Sequence, residues 1–209
     1  MGAMHILVTG FEPFGNDDFN ASGAVVSALP TSIAGRRLTT AILPVSFDRS
    51  GKALSALLAE HRPDALLCVG EAGGRAAVTP EARAANEDDA RIPDNDGARP
   101  RAAAIISDGP LSLPSSLDAQ RITALLAAAG FAAQVSRNAG RFVCNHVAYL
   151  AYAQPVPALF IHVPALRPGG TEAGVGRETD LRAASTAAPA SAWDMEQLLA
   201  AVELVAASL

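Results

Sequence analysis

The sequence predicts a single α/β domain, built from a mostly parallel, twisted sheet with helices on both faces. Short β-rich runs alternate with apolar or amphipathic helical segments, which is the pattern of strands joined by crossover helices. The 209 residues, half of them hydrophobic, suffice for one sizeable core, and no internal repeat or linker divides them. We therefore expect residues 1–209 to form one domain.

The predicted elements follow in order from short apolar runs and the turn residues between them. Strands are predicted at 5–9, 38–43, 64–70, 132–136 and 157–163. Helices are predicted at 22–29, 49–61, 118–129, 145–153 and 192–207, where apolar residues recur at helical spacing. Residues 169–190 are rich in Gly, Ala, Thr and Ser, so we expect a long, mobile surface loop there.

Four unusual segments follow predicted strands. Gly10–Gly15 follows the first strand, Glu71–Arg75 the third, and Cys144 the strand at 132–136, while His162 lies near the end of the last strand. In open α/β sheets, ligands bind beyond the carboxyl ends of the strands. We expect these segments to meet at one edge of the sheet and to form the functional site.

Cys144 is the most informative residue of the chain. It lies between a strand-like run that turns at Gly140 and an apolar helix that covers 145–150. Backbone N–H groups at a helix N-terminus favour the thiolate, so the position suits a nucleophile. A lone cysteine is more often a small buried hydrophobe, which is our interpretation of Cys68 in the middle of a strand. Position alone leaves both roles open for Cys144.

A cysteine nucleophile needs a base, and the sequence offers four histidines. His5 opens the first strand at the wrong end of the sheet, and His61 ends a surface helix. His146 is two residues beyond Cys144, which turns it about 200° around the helix axis. His162 lies at the edge predicted for Cys144 and is the favoured base, although a lone histidine in an apolar strand is more often a core residue.

A carboxylate should orient this base. The polar stretch from Val78 to Gly97 offers Glu81, Glu87, Asp88, Asp89, Asp94 and Asp96. Most charges in such a stretch are solvated, and spacing does not choose among these six. Glu81 is at least restricted in conformation by the proline that precedes it.

Composition and charge exclude several classes of protein. The net charge is -5 without a long run of either sign, so we expect no nucleic-acid partner. No apolar stretch is long enough to span a bilayer, and the N-terminus lacks the pattern of a secretory signal. Two cysteines without paired spacing argue against a disulfide framework or a zinc cluster. We expect a cytoplasmic enzyme without a membrane partner, and we expect residues 1–3, before the second methionine, to be foreign to the natural chain.

Neither glycine-containing loop predicts a cofactor. Gly10–Gly15 lacks the three-glycine pattern of a dinucleotide site, and Glu71–Arg75 lacks the Lys-Ser/Thr ending of a phosphate loop. Phe11 and Phe14, on either side of Pro13, suit a flat and partly apolar ring; a loop anchored on the core is the alternative. We therefore expect an enzyme with no cofactor and no metal.

Six segments of the chain together resemble the pyrrolidone-carboxylate peptidase (pyroglutamyl peptidase I) family of cysteine peptidases. The resemblance runs from Ile6 to about Leu166 and includes the closing helix. Its specific motifs are 8–15, 72–75, 79–81, 89–95, 140–145 and 160–164.

The resemblance implies a role for each of several residues. The family's nucleophile falls on Cys144, its base on His162 and its orienting acid on Glu81. The pocket for the pyroglutamyl ring would have Phe11, Phe14, Ile92, Phe142 and Val143 as apolar walls, with Arg91 next to the reacting carbonyl. The resemblance also implies a homotetramer.

Glu71 departs from the family, which usually has Gln at this position to bind the ring lactam. An ionised carboxylate can accept from the lactam N–H but cannot donate to its carbonyl. The resulting prediction is a cysteine exopeptidase that removes N-terminal pyroglutamate from peptides through a thioester on Cys144. The alternatives are an amidase for another small acyl group, and a non-catalytic small-molecule binding protein with an unreactive Cys144.

Overall fold

The computed structural model describes residues 3–15, 17–166 and 193–209 and consists of a sheet between two layers of helices. Its elements are β1 (His5–Phe11), α1 (Ala21–Ala28), β2 (Ser32–Ile33), β3 (Arg36–Leu43), α2 (Phe47–His61), β4 (Ala65–Ala72), β5 (Thr79–Pro80), β6 (Arg83–Ala85), β7 (Ser112–Pro114), α3 (Ala119–Ala128), α4 (Val143–Tyr152), β8 (Ala158–Pro164) and α5 (Met195–Ser208). The predicted α/β class, with a mostly parallel sheet and helices on both faces, is confirmed.

The strand order places four parallel strands, β3, β1, β4 and β8, at the centre of the sheet. Among the described residues the order is β2-β3-β1-β4-β8-β5. β1 pairs in parallel with β3 and β4, and β4 with β8, whereas the edge strands β2 and β5 run antiparallel to their neighbours. The carboxyl ends of β1, β4 and β8 therefore lie at the same edge. β6 and β7 form a separate antiparallel pair.

The central strands are buried on both faces because successive side chains point to opposite sides of a sheet. Val8 and Ile161 pack in one buried cluster with α1, α3 and α5. Leu7 and Phe160 pack in the other cluster with α2 and α4. Burial on both faces explains why these strands are continuous apolar runs that are visible in the sequence.

The strand predicted at 132–136 is wrong. This segment runs beside β5 and forms only isolated bridges. Ser136 N–H donates to the Pro80 carbonyl at 2.9 Å, and Gln134 N–H donates to the Val78 carbonyl at 3.1 Å. A continuous parallel ladder also needs an N–H from residue 80, and Pro80 has none. Proline thus interrupts an otherwise strand-like edge.

α4 begins at Val143, two residues before the predicted start, so Cys144 lies in its first turn. Gly140, with a φ of 83°, supplies the left-handed backbone that turns the chain into this helix. The change of start therefore strengthens the predicted placement of Cys144 at a helix N-terminus.

The loop predicted at 169–190 lies outside the described residues. Within the described ranges, no helix has the length and apolar content needed to cross a membrane.

Candidate active site

β4 and β8 place Cys144 beside His162. Gly70 in β4 and His162 in β8 are register partners, so they lie next to each other in the sheet. α4 packs against this part of the sheet, and the sulfur of Cys144 lies 3.0 Å from the point that a β-carbon on Gly70 would occupy. The missing side chain of Gly70 therefore leaves the space that the sulfur uses.

The start of α4 is anchored by the buried side chain of Asn145. Its Oδ1 accepts from the Ala85 N–H at 2.9 Å, and its Nδ2 donates to the carbonyls of Ala85 and Glu87 at 2.9 and 3.0 Å. Phe142, the residue before the helix, provides no side-chain cap. N–H groups of a first helical turn lack acceptors within the helix, so this end of α4 can stabilise an anion beside Cys144.

His162 and Glu81 form a pair with no exposed side-chain surface. Nδ1 of His162 lies 2.8 Å from Oε1 of Glu81. The other nitrogen, Nε2, is buried and has no hydrogen-bond partner among the described residues, the Cys144 thiol included. Contacts between catalytic groups are often long without substrate, and Nε2 is the atom of His162 that is left to exchange a proton.

Burial and neighbouring charges both shift the pKa values of this pair. Burial raises the pKa of Glu81, but the hydrogen bond with His162 and the charges of His162 and Arg75 outweigh it and lower that pKa overall. Burial lowers the pKa of His162, and Arg75 lowers it further, against the opposing effect of Glu81. The site therefore favours an ionised Glu81 and a neutral His162. Since an ionised carboxylate only accepts, Nδ1 of His162 carries the proton.

The pKa of the Cys144 thiol also depends on burial and on neighbouring charges. Burial raises its pKa to about 12; Arg75 lowers it, while Glu81 and Glu71 raise it. Cys144 nevertheless keeps a partly exposed surface and lies in the first turn of α4, so we expect a smaller rise than complete burial would cause. Cys68 is completely buried in β4, and burial raises its pKa to about 12, in agreement with its interpretation as a core residue.

Arg75, to which the sequence assigned no role, binds the same carboxylate as His162. Its Nη1 donates to Oε1 of Glu81 at 2.6 Å and to the Thr79 hydroxyl, and its Nη2 donates to the Asn138 carbonyl at 2.9 Å. The Arg75 side chain is 13% exposed, so this ion pair is largely shielded from water.

Tyr152 fixes the backbone of Glu81. Its hydroxyl donates to the Glu81 carbonyl at 2.7 Å and accepts from the Phe160 N–H at 3.1 Å. The Glu81 N–H in turn donates to the Phe160 carbonyl at 2.9 Å. Glu81 is thus held against β8 through both its backbone and its side chain.

The other candidate bases and acids have different partners. His146 lies 2.7 Å from Asp88, and Nε2 of His5 lies 2.8 Å from the Thr39 hydroxyl. The remaining carboxylates bind elsewhere: Glu87 to Arg141, Asp89 to Arg101, Asp94 to the backbone N–H of Phe47, and Asp96 to Arg49. Tertiary structure therefore selects Glu81, which spacing in the sequence could not do.

An aromatic cluster lies around Phe142, at the start of α4. The Phe142 ring lies 5.1 Å from Phe14 and 5.3 Å from Phe47, centroid to centroid. Phe142 and Val143 directly precede Cys144 in the chain and are buried. Two of the predicted ring walls thus adjoin Cys144 in the chain, and Phe47 is an aromatic neighbour that had no predicted role.

The loop after β1, which carries Phe14, and the segment that carries Arg91 and Ile92 are held together by Asn95. Asn95 donates from Nδ2 to Oε1 of Glu12 and to the Pro13 carbonyl, both at 3.0 Å. The loop after β1 is thereby tied to the 89–95 segment, in which Ile92 is partly buried and Arg91 is exposed. Phe11 packs at 6.4 Å from the Phe160 ring, whose centroid lies 4.9 Å from that of His162.

Glu71 contacts the N-terminus of a helix. Its Oε2 accepts from the N–H of Ala21, the first residue of α1, at 2.6 Å. Its charge also acts on Cys144. The structure therefore places this carboxylate within electrostatic range of the sulfur while it binds the start of α1.

Sequence reasoning missed Arg75, Tyr152 and Asn145. Arg75 and Asn145 lie within motifs that the sequence analysis quoted, but nothing in their spacing indicates which group they bind. Tyr152 lies in the last turn of an apolar helix, where a tyrosine gives no signal of its hydrogen bonds. In the part of the chain that the structure describes, no group of three His, Cys, Asp or Glu side chains could hold a metal ion.

Comparisons with known proteins find relatives of one kind. The family model described as pyroglutamyl peptidase matches residues 4–176. The pyrrolidone-carboxylate peptidase of Streptococcus suis is 43% identical over 169 residues, which cover 78% of this chain and 79% of that protein. The pyrrolidone-carboxylate peptidase of Streptococcus pyogenes is 41% identical over 167 residues, which cover 77% of this chain and 78% of that protein.

Solved structures are similar over nearly the whole chain. The pyrrolidone carboxyl peptidase of Thermus thermophilus aligns with a TM-score of 0.82 at 34% identity, covering 98% of this chain and 100% of that one. The pyroglutamyl peptidase I of Bacillus amyloliquefaciens aligns with a TM-score of 0.83 at 30% identity, covering 99% and 96%.

Proposed function

The chain belongs to the pyroglutamyl peptidase family, and on this basis we propose that Cys144, His162 and Glu81 carry out its reaction. It is a cysteine peptidase that removes N-terminal pyroglutamate from peptides. The observation that carries the assignment is the buried His162, bound by Glu81 through one ring nitrogen while the other remains without a partner beside Cys144.

In the first step, Sγ of Cys144 attacks the carbonyl carbon that joins pyroglutamate to the next residue. The thiol proton passes to Nε2 of His162 as the C–S bond forms, because burial disfavours a free thiolate. The carbonyl oxygen becomes an oxyanion, which the first-turn N–H groups of α4 stabilise.

In the second step, the C–N bond breaks and His162 gives its proton to the leaving amine. The shortened peptide departs and a pyroglutamyl thioester remains on Cys144. Water then attacks the thioester carbonyl while His162 takes its proton. The C–S bond breaks, the sulfur recovers the proton from His162, and pyroglutamate is released.

Glu81 acts on His162 and not on the substrate. It holds the proton on Nδ1 and stabilises the imidazolium that forms in each step. The aromatic cluster of Phe14, Phe142 and Phe47, with Phe11, Ile92 and Val143, supplies apolar walls for the flat lactam ring. Arg91 lies next to the scissile carbonyl in this proposal, and Glu71 contacts the lactam.

A turnover assay tests the assignment. Purified protein is given a chromogenic pyroglutamyl amide and, in parallel, prolyl and acetyl amides of the same chromophore. The proposal requires hydrolysis of the pyroglutamyl amide above the other two, and its loss in Cys144→Ala. Preference for another acyl group favours the amidase alternative, and no turnover of any amide favours a binding protein.

The proposal extends to assembly and compartment. Leu111 is 91% exposed and Ile106 is 38% exposed, which suits a subunit contact in a homotetramer. Two free cysteines, one of them the nucleophile, suit the reducing cytoplasm. Sedimentation that shows only a monomer across micromolar concentrations would remove the tetramer.

A further inference from the structure

We propose that Arg75 is a positioning residue for this reaction, which holds the Glu81 carboxylate against His162 so that Nε2 of His162 stays free to accept the Cys144 proton. The inference rests on the roles proposed above for Cys144, His162 and Glu81. Arg75 touches neither the reacting sulfur nor the imidazole through any hydrogen bond shown by the structure; it acts through Glu81.

One guanidinium group joins three parts of the site. It binds the Glu81 carboxylate and the Thr79 hydroxyl through Nη1, and the Asn138 carbonyl through Nη2. Thr79 in β5 is the register partner of His162 in β8, so Arg75 also holds the strand that lies next to His162. Arginine can make these contacts together because its donors form a rigid planar fork, which lysine lacks.

The loop that carries Arg75 is itself fixed. The Arg75 N–H donates to the Ala72 carbonyl at 3.1 Å, and the indole of Trp193 donates to the Ala76 carbonyl at 3.0 Å. Trp193 stacks on Phe131 at 5.8 Å between centroids. Such restraints reduce the entropy lost when the guanidinium is held in one place.

Without Arg75, the Glu81 carboxylate would lose the one permanent positive charge that acts on it among the described residues. A carboxylate so deeply buried then tends to take up a proton. A protonated Glu81 can donate to Nδ1 of His162, which moves the imidazole proton to Nε2. In that tautomer Nε2 cannot accept the proton of Cys144, and the first step fails.

The charged and titratable groups around the site define what a pH profile can report. Arg75 and Glu81 act on His162, and Glu81 and Cys68 act on the Tyr152 hydroxyl. The groups that act on Cys144 are Arg75, Glu81, Glu71 and Cys68. Arg75 is the sole cation in these sets, and it favours a neutral His162. Its removal should therefore raise the pKa of His162 and of Glu81 together, and both changes move the acidic limb of kcat/KM to higher pH.

The test compares Arg75→Gln, Arg75→Lys and Arg83→Gln in the full chain, with a pyroglutamyl chromogenic amide. Arg83 is the matched control, because it is exposed and donates to the Arg137 carbonyl on the same edge segment at 3.0 Å without reaching Glu81. We expect Arg75→Gln to lose about 10- to 100-fold in kcat with little change in KM, the range expected for one lost hydrogen bond between charged groups.

The acidic limb of the Arg75→Gln profile should also move to higher pH, and alkylation of Cys144 by iodoacetamide should slow. Arg75→Lys, which keeps the charge, should restore the limb and part of kcat, while Arg83→Gln should match the wild type. A double variant with Glu81→Gln should lose little beyond Glu81→Gln alone.

Two results would overturn the inference: an unchanged acidic limb in Arg75→Gln, or an equal shift in Arg83→Gln. Cys144→Ser and His162→Ala are assayed beside them. If those two variants remain active, the proposed site itself is wrong; if they are inactive, the failure belongs to the Arg75 inference alone. If Arg75→Gln does not fold, Arg75→Lys decides. Because lysine keeps the charge, the proposal requires the acidic limb of Arg75→Lys to lie where it does in the wild type and part of kcat to remain. A shifted limb or the loss of all activity in Arg75→Lys contradicts the proposal.

Discussion

The Glu81 carboxylate lies 2.8 Å from Nδ1 of His162, although the two residues are 81 positions apart in the chain and neither side chain has any exposed surface. Burying a charge is costly unless it is paired and hydrogen-bonded. His162 supplies that pairing from β8, and Arg75 supplies it from the loop after β4. The arrangement therefore fixes both the tautomer and the orientation of the histidine.

Glu81→Gln should lower kcat by roughly 10²–10⁴-fold, because an amide cannot stabilise the imidazolium and can present a donor to Nδ1. Steady-state kinetics on the pyroglutamyl amide measure the loss. Glu87→Gln is the control, since Glu87 binds Arg141 at 2.8 Å and not a histidine. Full activity in Glu81→Gln would reduce the catalytic set to Cys144 and His162.

His162→Ala should lose about 10²–10⁴-fold in kcat while the fold survives, which is the usual worth of general acid–base assistance. His146→Ala should keep most activity, because His146 binds Asp88 and packs edge-on against Phe47. Kinetics and circular dichroism are measured on both variants. Equal losses in two folded variants would make His146 a competing base.

Gly70→Ala should reduce kcat/KM by about 10²-fold, the cost of a small misplacement of a reacting group. A β-carbon there would lie 2.7 Å from the Phe160 ring and 3.0 Å from the Cys144 sulfur, so one or both must move. Gly51→Ala is the control, since its nearest neighbour is the flexible end of Leu150. Unchanged kcat/KM and unchanged alkylation of Cys144 in Gly70→Ala would show that the sulfur does not need this space.

Glu71→Gln should raise kcat/KM several-fold, mainly through KM. The amide restores a donor for the lactam carbonyl, worth about 0.5–1.5 kcal/mol, and removes a charge that raises the pKa of Cys144. The amide oxygen can still accept from the Ala21 N–H that Glu71 binds. A joint fall in activity and melting temperature would instead assign Glu71 to the support of α1 or to a pairing with Arg75 or Arg91.

The sequence predicts the fold well where strands are buried on both faces. β1, β4 and β8 are continuous apolar runs that point in the same direction. Gly70 and His162 therefore both lie near the carboxyl ends of the strands, next to Cys144. It fails at 132–136, because a proline on the neighbouring segment removes one donor of the ladder. Strands of two or three residues, such as β2 and β5, are too short to give a periodic signal.

The site is predictable from the sequence only in part. Position makes Cys144 and His162 candidates without deciding between a catalytic and a core role, because a helix start and a strand end are local features. The choice of Glu81 among six nearby carboxylates needed either the family resemblance or the tertiary contacts, since local spacing does not encode a partner 81 residues away. The contacts of Arg75 and Tyr152 with Glu81 depend on packing and left no trace in the pattern.

Rapid acid quenching tests most directly the central claim, that Cys144 forms a thioester with the pyroglutamyl group. The wild-type protein is mixed with an activated pyroglutamyl ester, quenched within the first turnover, digested and mapped by mass spectrometry. We predict a pyroglutamyl adduct on the peptide that contains Cys144, none on the peptide that contains Cys68, and no turnover or adduct in Cys144→Ala. An adduct on another residue, or wild-type turnover by Cys144→Ala, would contradict the account.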